Sequence, residues 1–172
     1  QKIKDEIDKI NNKQNIILIH EEEILDTAGG VKNAIKYSEN KNFIVLNSDV
    51  FWRDENINSV NLLIDQYKKN FDTSLLLVSE KNAYGIKKQF GDFSLRENLI
   101  LRFKKGDMNY FYSGLQILNT DIFKNFNQKI FSFNLVWDYL IDKKILRGKI
   151  MHSNWYHVGD IQGLNIAKKL QS

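Results

Sequence analysis

The chain has 172 residues, of which 42% are hydrophobic and 27% are charged, and its formal net charge is +4. This length suits one domain with a sizeable core, and the absence of cysteine excludes disulfides, thiolate zinc sites and thiol nucleophiles. No apolar run is long enough to span a bilayer, and the lysines are scattered without a basic block. We therefore expect neither a membrane protein nor a nucleic-acid-binding protein. No signal peptide precedes the first charged residues, which favours a cytoplasmic location.

The N-terminal segment carries a helical pattern and a cluster of small residues. Apolar residues at helical spacing predict an amphipathic helix over residues 1–10, followed by a turn over 11–15 and a short buried strand over 16–19. The segment 24–30, ILDTAGG, then places small residues directly before a helical pattern that begins at Val31. Small residues at a helix entrance let a ligand approach backbone amides. A close contact between helix and sheet explains the two glycines almost as well.

The stretch 43–52, FIVLNSDVFW, holds the most informative carboxylate of the chain. Residues 43–47 are mostly apolar and β-favouring, which predicts a strand buried on both faces. Asp49 follows this strand, and ligands gather beyond the carboxyl ends of strands in open α/β sheets. Mg²⁺ usually takes one or two carboxylates together with substrate phosphates. Asp49 is therefore a candidate metal ligand, and a helix cap or a turn is the alternative.

Strands and helices alternate in the first half of the chain. A helix is predicted over residues 56–71 and a further buried strand over 73–79. This order of strand, helix, strand, helix, strand favours a mostly parallel sheet with crossover helices. Because the sequence shows no internal repeat, linker or composition boundary, we predict a single domain over residues 1–172.

Beyond residue 80 the pattern changes. Residues 91–95 and 99–103 alternate around a polar turn, which predicts an antiparallel hairpin. A longer strand over 110–118 carries Gly114 in its middle, which indicates a bulge or a close approach of the backbone to a ligand. The remaining predictions are helices over 120–126 and 133–145, short strands over 149–151 and 155–158, and a closing helix capped by Asp160.

Five stretches together resemble the sugar-1-phosphate nucleotidyltransferases: LDTAGGVKNAI, FIVLNSDVFW, GDFSL, YFYSGLQIL and WYHVGD. The nearest likeness is to the bacterial branch with N-acetylmuramate-1-phosphate uridylyltransferase and mannose-1-phosphate guanylyltransferase-like proteins. It covers nearly the whole chain from Ile16 onward and depends on the order of the motifs, since none is decisive alone. The resemblance implies an α/β fold with a Rossmann-like, mostly parallel sheet, crossover helices and an antiparallel hairpin insertion.

The activity that this resemblance implies is nucleotidyl transfer. A nucleoside triphosphate, UTP or GTP, would react with a sugar 1-phosphate in the presence of Mg²⁺, giving a nucleotide-sugar and pyrophosphate. The nucleotide-sugar would serve as a precursor of the cell envelope or of surface glycans. Such a reaction needs positioning and charge neutralisation more than a protein nucleophile. This requirement is in keeping with the small number of reactive side chains in the motifs.

The resemblance also assigns residues to the site. The residues matching the nucleotide-binding pocket are Thr27, Ala28, Gly29 and Gly30. Asp49 matches the first metal carboxylate of the family. The residues matching positions that approach the sugar are Gly91, Ser113 and Gly114.

The first departure from the family concerns the second metal carboxylate. In the family it lies in a Trp-x-Asp-Val-Gly pattern, and here His157 takes the position of the aspartate. Mg²⁺ prefers oxygen donors, although a neutral imidazole can bind metals. His157 is therefore a candidate catalytic residue and metal ligand, a phosphate contact, or a structural histidine beside Trp155.

The second departure concerns the first strand and the glycine-rich loop of the family, which carries an arginine and is followed by a lysine. Neither feature is found in this sequence, which starts in the equivalent of the helix after the second strand. We therefore expect a nucleotidyltransferase domain without its N-terminal strands. The absent first strand would lie beside residues 43–47, so two strand edges and apolar surface would be left uncovered. We also expect residues 1–172 alone to be marginally stable and catalytically inactive.

Three alternatives remain open. A metal-dependent glycosyltransferase with a similar fold would also hold its metal at a strand-end acid, and usually has a second acid close by, for which Asp54 is the nearest residue. The second alternative is a non-catalytic module that binds a nucleotide-sugar, in which His157 would mark a metal site that has been lost. An RNA-binding domain is favoured only by the pI near 9.1, because the exposed aromatic pattern of such modules is missing.

Overall fold

The computed structural model describes residues 2–10 and 16–169, which form a mixed α/β fold. The helices are α1 (Lys2–Ile7), α2 (Asp26–Ala34), α3 (Ile57–Asn70), α4 (Phe133–Asp142) and α5 (Ile161–Lys169). The strands are β1 (Asn42–Leu46), β2 (Val50–Phe51), β3 (Ser74–Ser79), β4 (Ala83–Tyr84), β5 (Phe93–Arg96), β6 (Leu99–Arg102), β7 (Tyr110–Asn119), β8 (Arg147–Met151) and β9 (Trp155–His157).

The main sheet has six strands in the order β1-β7-β3-β8-β6-β5, and a small sheet has the order β2-β9-β4. In the main sheet β3 and β8 pair in parallel, whereas β1 with β7, β7 with β3, and β5 with β6 pair antiparallel. The predicted mostly parallel sheet is therefore wrong, although the α/β class is confirmed. The reason is the position of β7, which lies between β1 and β3 and runs against both of them.

Two apolar clusters lie on opposite faces of the main sheet. Because side chains alternate along a strand, Leu75 and Leu77 of β3 belong to one cluster, and Leu76 and Val78 to the other. The first cluster contains the buried face of α4, and the second contains Leu63 and Tyr67 of α3 as buried members. The centre of the sheet is thus packed on both faces by helices, of which α3 belongs to a predicted crossover and α4 does not.

Several local predictions are confirmed. Helix α3 and strand β3 begin and end within one residue of the predicted bounds. The predicted hairpin is the antiparallel pair β5 and β6, in which Phe93 lies opposite Arg102. Asp160 caps the closing helix, because its Oδ1 accepts a hydrogen bond from the Gly163 N–H at 2.8 Å.

Of two strand predictions on the N-terminal side, one is wrong and the other is confirmed as a strand but not in its burial. Residues 16–19 form no strand, and the side chains of Ile17 and Leu18 are 63% and 52% exposed. Strand β1 forms, but Ile44 and Leu46 on one of its faces are 49% and 56% exposed rather than buried. Within the described residues β1 pairs only with β7, so one of its edges is uncovered. The turn predicted over residues 11–15 lies outside the described residues.

The helix predicted over residues 1–10 is confirmed only in part. It corresponds to α1, which ends at Ile7 and buries none of its residues. No described helix combines the length and apolarity that crossing a membrane would require.

Candidate functional site

A cleft of about 410 Å³ lies where β1 ends. Strands β1, β3 and β8 run in the same direction, so their carboxyl ends meet at one edge of the sheet, which is where ligands gather in α/β folds. The charged residues that line the cleft are Asp49, Lys87, Lys88, Asp92, His157 and Asp160. Its other lining residues include Asn47, Tyr112, Gly114, Asn134, Trp137 and Trp155. Aromatic walls with a few polar groups are typical of a small-molecule site.

The structure brings Asp49 and His157 together through the small sheet. Val50 of β2 lies opposite His157 of β9, and the Val158 N–H donates to the Asp49 carbonyl oxygen at 2.8 Å. The His157 Nε2 atom consequently lies 3.3 Å from Asp49 Oδ2. The two groups form an ion pair when the imidazole is protonated.

Gly159 allows this close approach of Asp49 and His157. A Cβ atom at this position would lie 2.6 Å from His157 Cε1 and 3.4 Å from Asp49 Oδ2. Any larger residue would therefore displace the imidazole. The glycine in the WYHVGD motif thus has a steric role in placing the His157 ring over the cleft.

Two buried polar atoms of the cleft, Asp49 Oδ1 and the Tyr112 hydroxyl, have no hydrogen-bond partner among the described residues. Burial raises the pKa of Tyr112 above its usual value, and the nearby Asp49 charge raises it further. The phenol therefore stays protonated and remains a hydrogen-bond donor. Leaving such groups unpaired costs about 1–3 kcal/mol each. A ligand or water that supplied hydrogen bonds here would be stabilised accordingly.

The donor set of the cleft suits a metal ion only in part. The unpartnered Asp49 Oδ1 is the kind of oxygen that Mg²⁺ prefers. Among residues 2–10 and 16–169, however, no group of three His, Cys, Asp or Glu side chains could hold a metal ion. Asp49 therefore fits Mg²⁺ provided that phosphate oxygens and water complete the coordination, as is usual for this ion.

Two tryptophans fix the floor of the cleft. The Trp155 Nε1–H donates to the Ser113 carbonyl oxygen at 2.8 Å, and the Trp137 Nε1–H donates to Gln116 Oε1 at 3.1 Å. The Tyr112 ring packs edge-on against Trp137, with 4.9 Å between ring centroids. These contacts hold the aromatic surface rigid without help from a ligand.

The predicted nucleotide-binding residues do not line this cleft. The Ala28 and Gly29 N–H groups donate to the Phe131 carbonyl oxygen at 3.1 and 3.0 Å, and Thr27 Oγ1 accepts from the Phe133 N–H at 3.0 Å. A Cβ atom on Gly29 would lie 2.5 Å from the Lys129 carbonyl oxygen. Close packing of α2 against the segment before α4 therefore accounts for these small residues.

Gly30, the last of the predicted nucleotide-binding residues, also lies outside the cleft lining. A Cβ atom on it would lie 2.8 Å from Glu21 Oε1. The role of Thr27, Ala28, Gly29 and Gly30 in binding a base stays a prediction.

Only one of the three predicted sugar-side residues lines the cleft. Gly114 does so, with φ at +84°, and its absent side chain makes room for Val50 and Asn47. Ser113 points to the other face of β7 and is fully buried. The Gly91 N–H bonds to the Asn109 side chain outside the cleft lining. Contact of these residues with a sugar stays a prediction.

Sequence reasoning missed several residues of the cleft. Tyr112 could have been found, because it lies two residues before Gly114 and must share its face of the strand. Lys87 and Lys88 carry a weaker signal, since they only follow Gly85 in a segment without a clear pattern. Asp92 lies in the GDFSL motif, from which only Gly91 was assigned to the site. Asn134 carries no signal, because a single amide in a helix is usually a surface group.

Comparison with solved structures identifies the fold. HddC from Yersinia pseudotuberculosis, complexed with GMP-PN, matches with a TM-score of 0.74 and 23% identity over 99% of this chain and 74% of that chain. The inositol-1-phosphate CTP transferase from T. maritima matches with a TM-score of 0.67 and 14% identity over 89% of this chain and 63% of that chain. A UDP-glucose pyrophosphorylase complexed with UDP-glucose matches with a TM-score of 0.64 and 14% identity over 87% of this chain and 63% of that chain.

These likenesses show that the chain has the fold of the sugar-phosphate nucleotidyltransferase structures. The resemblance predicted from the five motifs is thereby confirmed at the level of the fold. No family model matches the sequence, and no curated protein matches it.

Proposed function

We propose that the cleft is the site of a nucleotidyl transfer between a nucleoside triphosphate and a sugar 1-phosphate. The observation that carries the proposal is the position of Asp49. It lies just beyond a strand of a nucleotidyltransferase-like sheet, faces a cleft of ligand size and keeps one carboxylate oxygen unpartnered. A strand-end carboxylate of this kind has a use in binding phosphates through Mg²⁺ and little use in packing.

Some of the cleft residues would bind phosphate groups through charge, and others would contact the sugar through their shape. Asp49 would hold Mg²⁺ together with phosphate oxygens, and the ion would neutralise phosphate charge. His157 would keep Asp49 in place through its Nε2 contact, and a ring N–H could donate a hydrogen bond to a phosphate oxygen. Tyr112 and Trp137 offer an aromatic surface and a hydroxyl on the side where a sugar would lie.

Only the resemblance restricts the choice of nucleotide base and of sugar substrate. We propose UTP or GTP as the triphosphate. The names of the matching structures support these two bases, since one was complexed with GMP-PN and another with UDP-glucose. We also propose that residues 1–172 alone bind these ligands without turning them over, because these residues contain no glycine-rich loop with a basic residue.

Binding of UTP and GTP measured by isothermal titration calorimetry, with and without Mg²⁺, tests the proposal. We expect Mg²⁺-dependent binding that Asp49→Asn weakens at least tenfold. The control is Asp65→Asn, which neutralises an exposed carboxylate on α3 outside the cleft. Absence of nucleotide binding by the wild type, or equal binding by both variants, would refute the proposal. Release of pyrophosphate from UTP or GTP and a sugar 1-phosphate would refute only the expected inactivity.

A second candidate function is a non-catalytic module that binds a nucleotide-sugar. It is favoured by the 3.3 Å contact of His157 with Asp49, which occupies one oxygen that a metal ion would need. Such a module should bind UDP-glucose or another nucleotide-sugar equally well with EDTA and with Mg²⁺. The proposed nucleotidyltransferase site should lose its affinity in EDTA.

A further inference from the structure

Lys87 and Lys88 are held at the rim of the cleft by two aspartates from different elements. Lys87 Nζ lies 2.6 Å from Asp160 Oδ2, at the start of α5. Lys88 Nζ lies 2.9 Å from Asp92 Oδ1, just before β5. Two consecutive lysines are thus directed to separate anchors, although neighbouring exposed lysines usually move freely in solvent.

Each anchoring aspartate uses its second oxygen to bind a backbone amide. Asp160 Oδ1 accepts from the Gly163 N–H at 2.8 Å, and Asp92 Oδ2 accepts from the Tyr112 N–H at 3.2 Å. The Gly163 amide and Lys87 together hold the pKa of Asp160 below its usual value. Both carboxylates are therefore fixed to the protein before they bind a lysine.

The backbone that carries the two lysines is also fixed. Gly85 has φ at +77° and packs closely against the His157 carbonyl oxygen and Gly163. Ile86 packs against the second apolar cluster. The loop is thus packed directly against the strand that carries His157, which places the two lysines on the rim of the cleft.

Both ammonium groups retain capacity to bind a ligand. An ammonium has three N–H donors, and each aspartate occupies one of them. The Lys87 and Lys88 side chains are 71% and 63% exposed, so their remaining donors face solvent at the cleft. Apart from them, no lysine or arginine among the described residues lines the cleft.

We infer that Lys87 and Lys88 form the phosphate-binding site of the cleft, preorganised by Asp160 and Asp92. This inference rests on the proposed function for the identity of the ligand, which is the phosphate chain of a nucleoside triphosphate or the pyrophosphate released from it. A charge-assisted hydrogen bond from each lysine would hold the phosphate oxygens opposite Asp49. Fixing the lysines in advance lowers the entropy that is lost on binding.

The test compares Lys87→Ala/Lys88→Ala with Lys68→Ala/Lys69→Ala. The second pair removes the same charge from two consecutive exposed lysines of α3 that lie outside the cleft. Binding of inorganic pyrophosphate, UTP and GTP is measured by calorimetry at low and high salt. We expect the cleft variant to bind each ligand at least tenfold more weakly, with a smaller salt dependence, and the control to bind like the wild type. Lys87→Arg/Lys88→Arg should restore most of the affinity.

Equal binding by the cleft variant and the wild type would overturn the inference. An equal loss in both alanine variants would do the same, because it would indicate a long-range effect of net charge. Lysine-dependent binding of pyrophosphate without binding of UTP or GTP would uphold the anion site and refute the proposed function. Binding of none of the ligands by the wild type would refute both. Circular dichroism of each variant verifies that its fold is intact.

Discussion

Strands β3 and β1 belong to the same sheet and have similarly apolar sequences, but their surroundings differ. The four side chains from Leu75 to Val78 in β3 are fully buried, whereas Ile44 and Leu46 of β1 are 49% and 56% exposed. Strand β3 has β7 and β8 as neighbours, while β1 has only β7 among the described residues. An apolar run is therefore enough to form a strand, and a second neighbouring strand is needed to bury it.

The cleft contains residues from the exposed strand β1 and from the well-packed part of the molecule. Asp49 follows β1, but its position is determined by contacts with β7 and β9. The Asn47 N–H donates to the Gly114 carbonyl oxygen at 2.8 Å, and β2 pairs with β9. We therefore expect the charged residues of the cleft to keep their geometry when the free edge of β1 is altered.

The largest expected effect is a difference in the free energy of unfolding between matching substitutions in β3 and β1. Leu77→Ala should lower the free energy of unfolding by about 3 kcal/mol, because it opens a cavity in a fully buried site. Leu46→Ala removes a half-exposed side chain and should cost no more than about 1 kcal/mol. Urea unfolding of both variants measures the difference, and equal costs would mean that β1 is buried in solution.

A second test concerns the contact that links β7 to the start of the cleft. Gly114→Ala should cost about 2 kcal/mol, because φ is +84° and the new Cβ would lie 2.9 Å from Val50 Cγ2. Gly106→Ala is the control, since Gly106 also has a positive φ but nothing lies within 4 Å of a Cβ there. Its cost should be about 1 kcal/mol, from backbone strain alone. If the two variants unfold at the same urea concentration, the contact with Val50 has no energetic weight.

The open edge of β1 provides a third and smaller test. Exposed edges with apolar side chains promote pairing between molecules, and a lysine in the strand opposes it. Leu46→Lys should lower concentration-dependent association, measured by light scattering, while changing the free energy of unfolding by less than about 1 kcal/mol. Leu62→Lys replaces a leucine of α3 that is 42% exposed and away from the edge. It should leave association unchanged, and an equal decrease would attribute the effect to added charge.

The smallest expected effect concerns the rim of the cleft. The pKa of Asp160 is lowered by the Gly163 amide and by Lys87, so its ionised form contributes stability above the unfolded-state value of 3.8. That contribution is lost as the pH falls below 3.8 through the lower pKa of the folded state. The stability difference between wild type and Asp160→Asn should therefore narrow between pH 5 and about pH 3 in acid unfolding curves. A constant difference across this range would contradict the lowered pKa of Asp160.

Much of the fold followed from local patterns. The bounds of α3 and β3, the hairpin of β5 with β6, and the cap by Asp160 were all predicted from neighbouring residues. The prediction of a mostly parallel sheet failed because hydrophobic periodicity gives the face of a strand and not the direction of its neighbour. The strand predicted over 16–19 failed because no adjacent strand among the described residues supplies its hydrogen bonds.

The candidate site was predictable to a lesser extent. Asp49 was found because a carboxylate that ends an apolar strand has no use in the core. The resemblance, and not the spacing, assigned Asp49 and His157 to one site. The separation of Thr27 from both was not expected, because the resemblance had put Thr27 in the same pocket. Lys87 and Lys88 became informative only when their partners at Asp160 and Asp92 were seen.

The sequence by itself determined where most strands and helices form and which strand is followed by a carboxylate. These features depend on hydrogen bonds, caps and apolar faces among residues close in the chain. The tertiary structure alone decided the strand order, the exposed face of β1 and the approach of Lys87, Lys88, Asp92 and Asp160 to the cleft. The physical reason is that these features depend on contacts between distant segments, whose partners are chosen by the packing of the whole sheet.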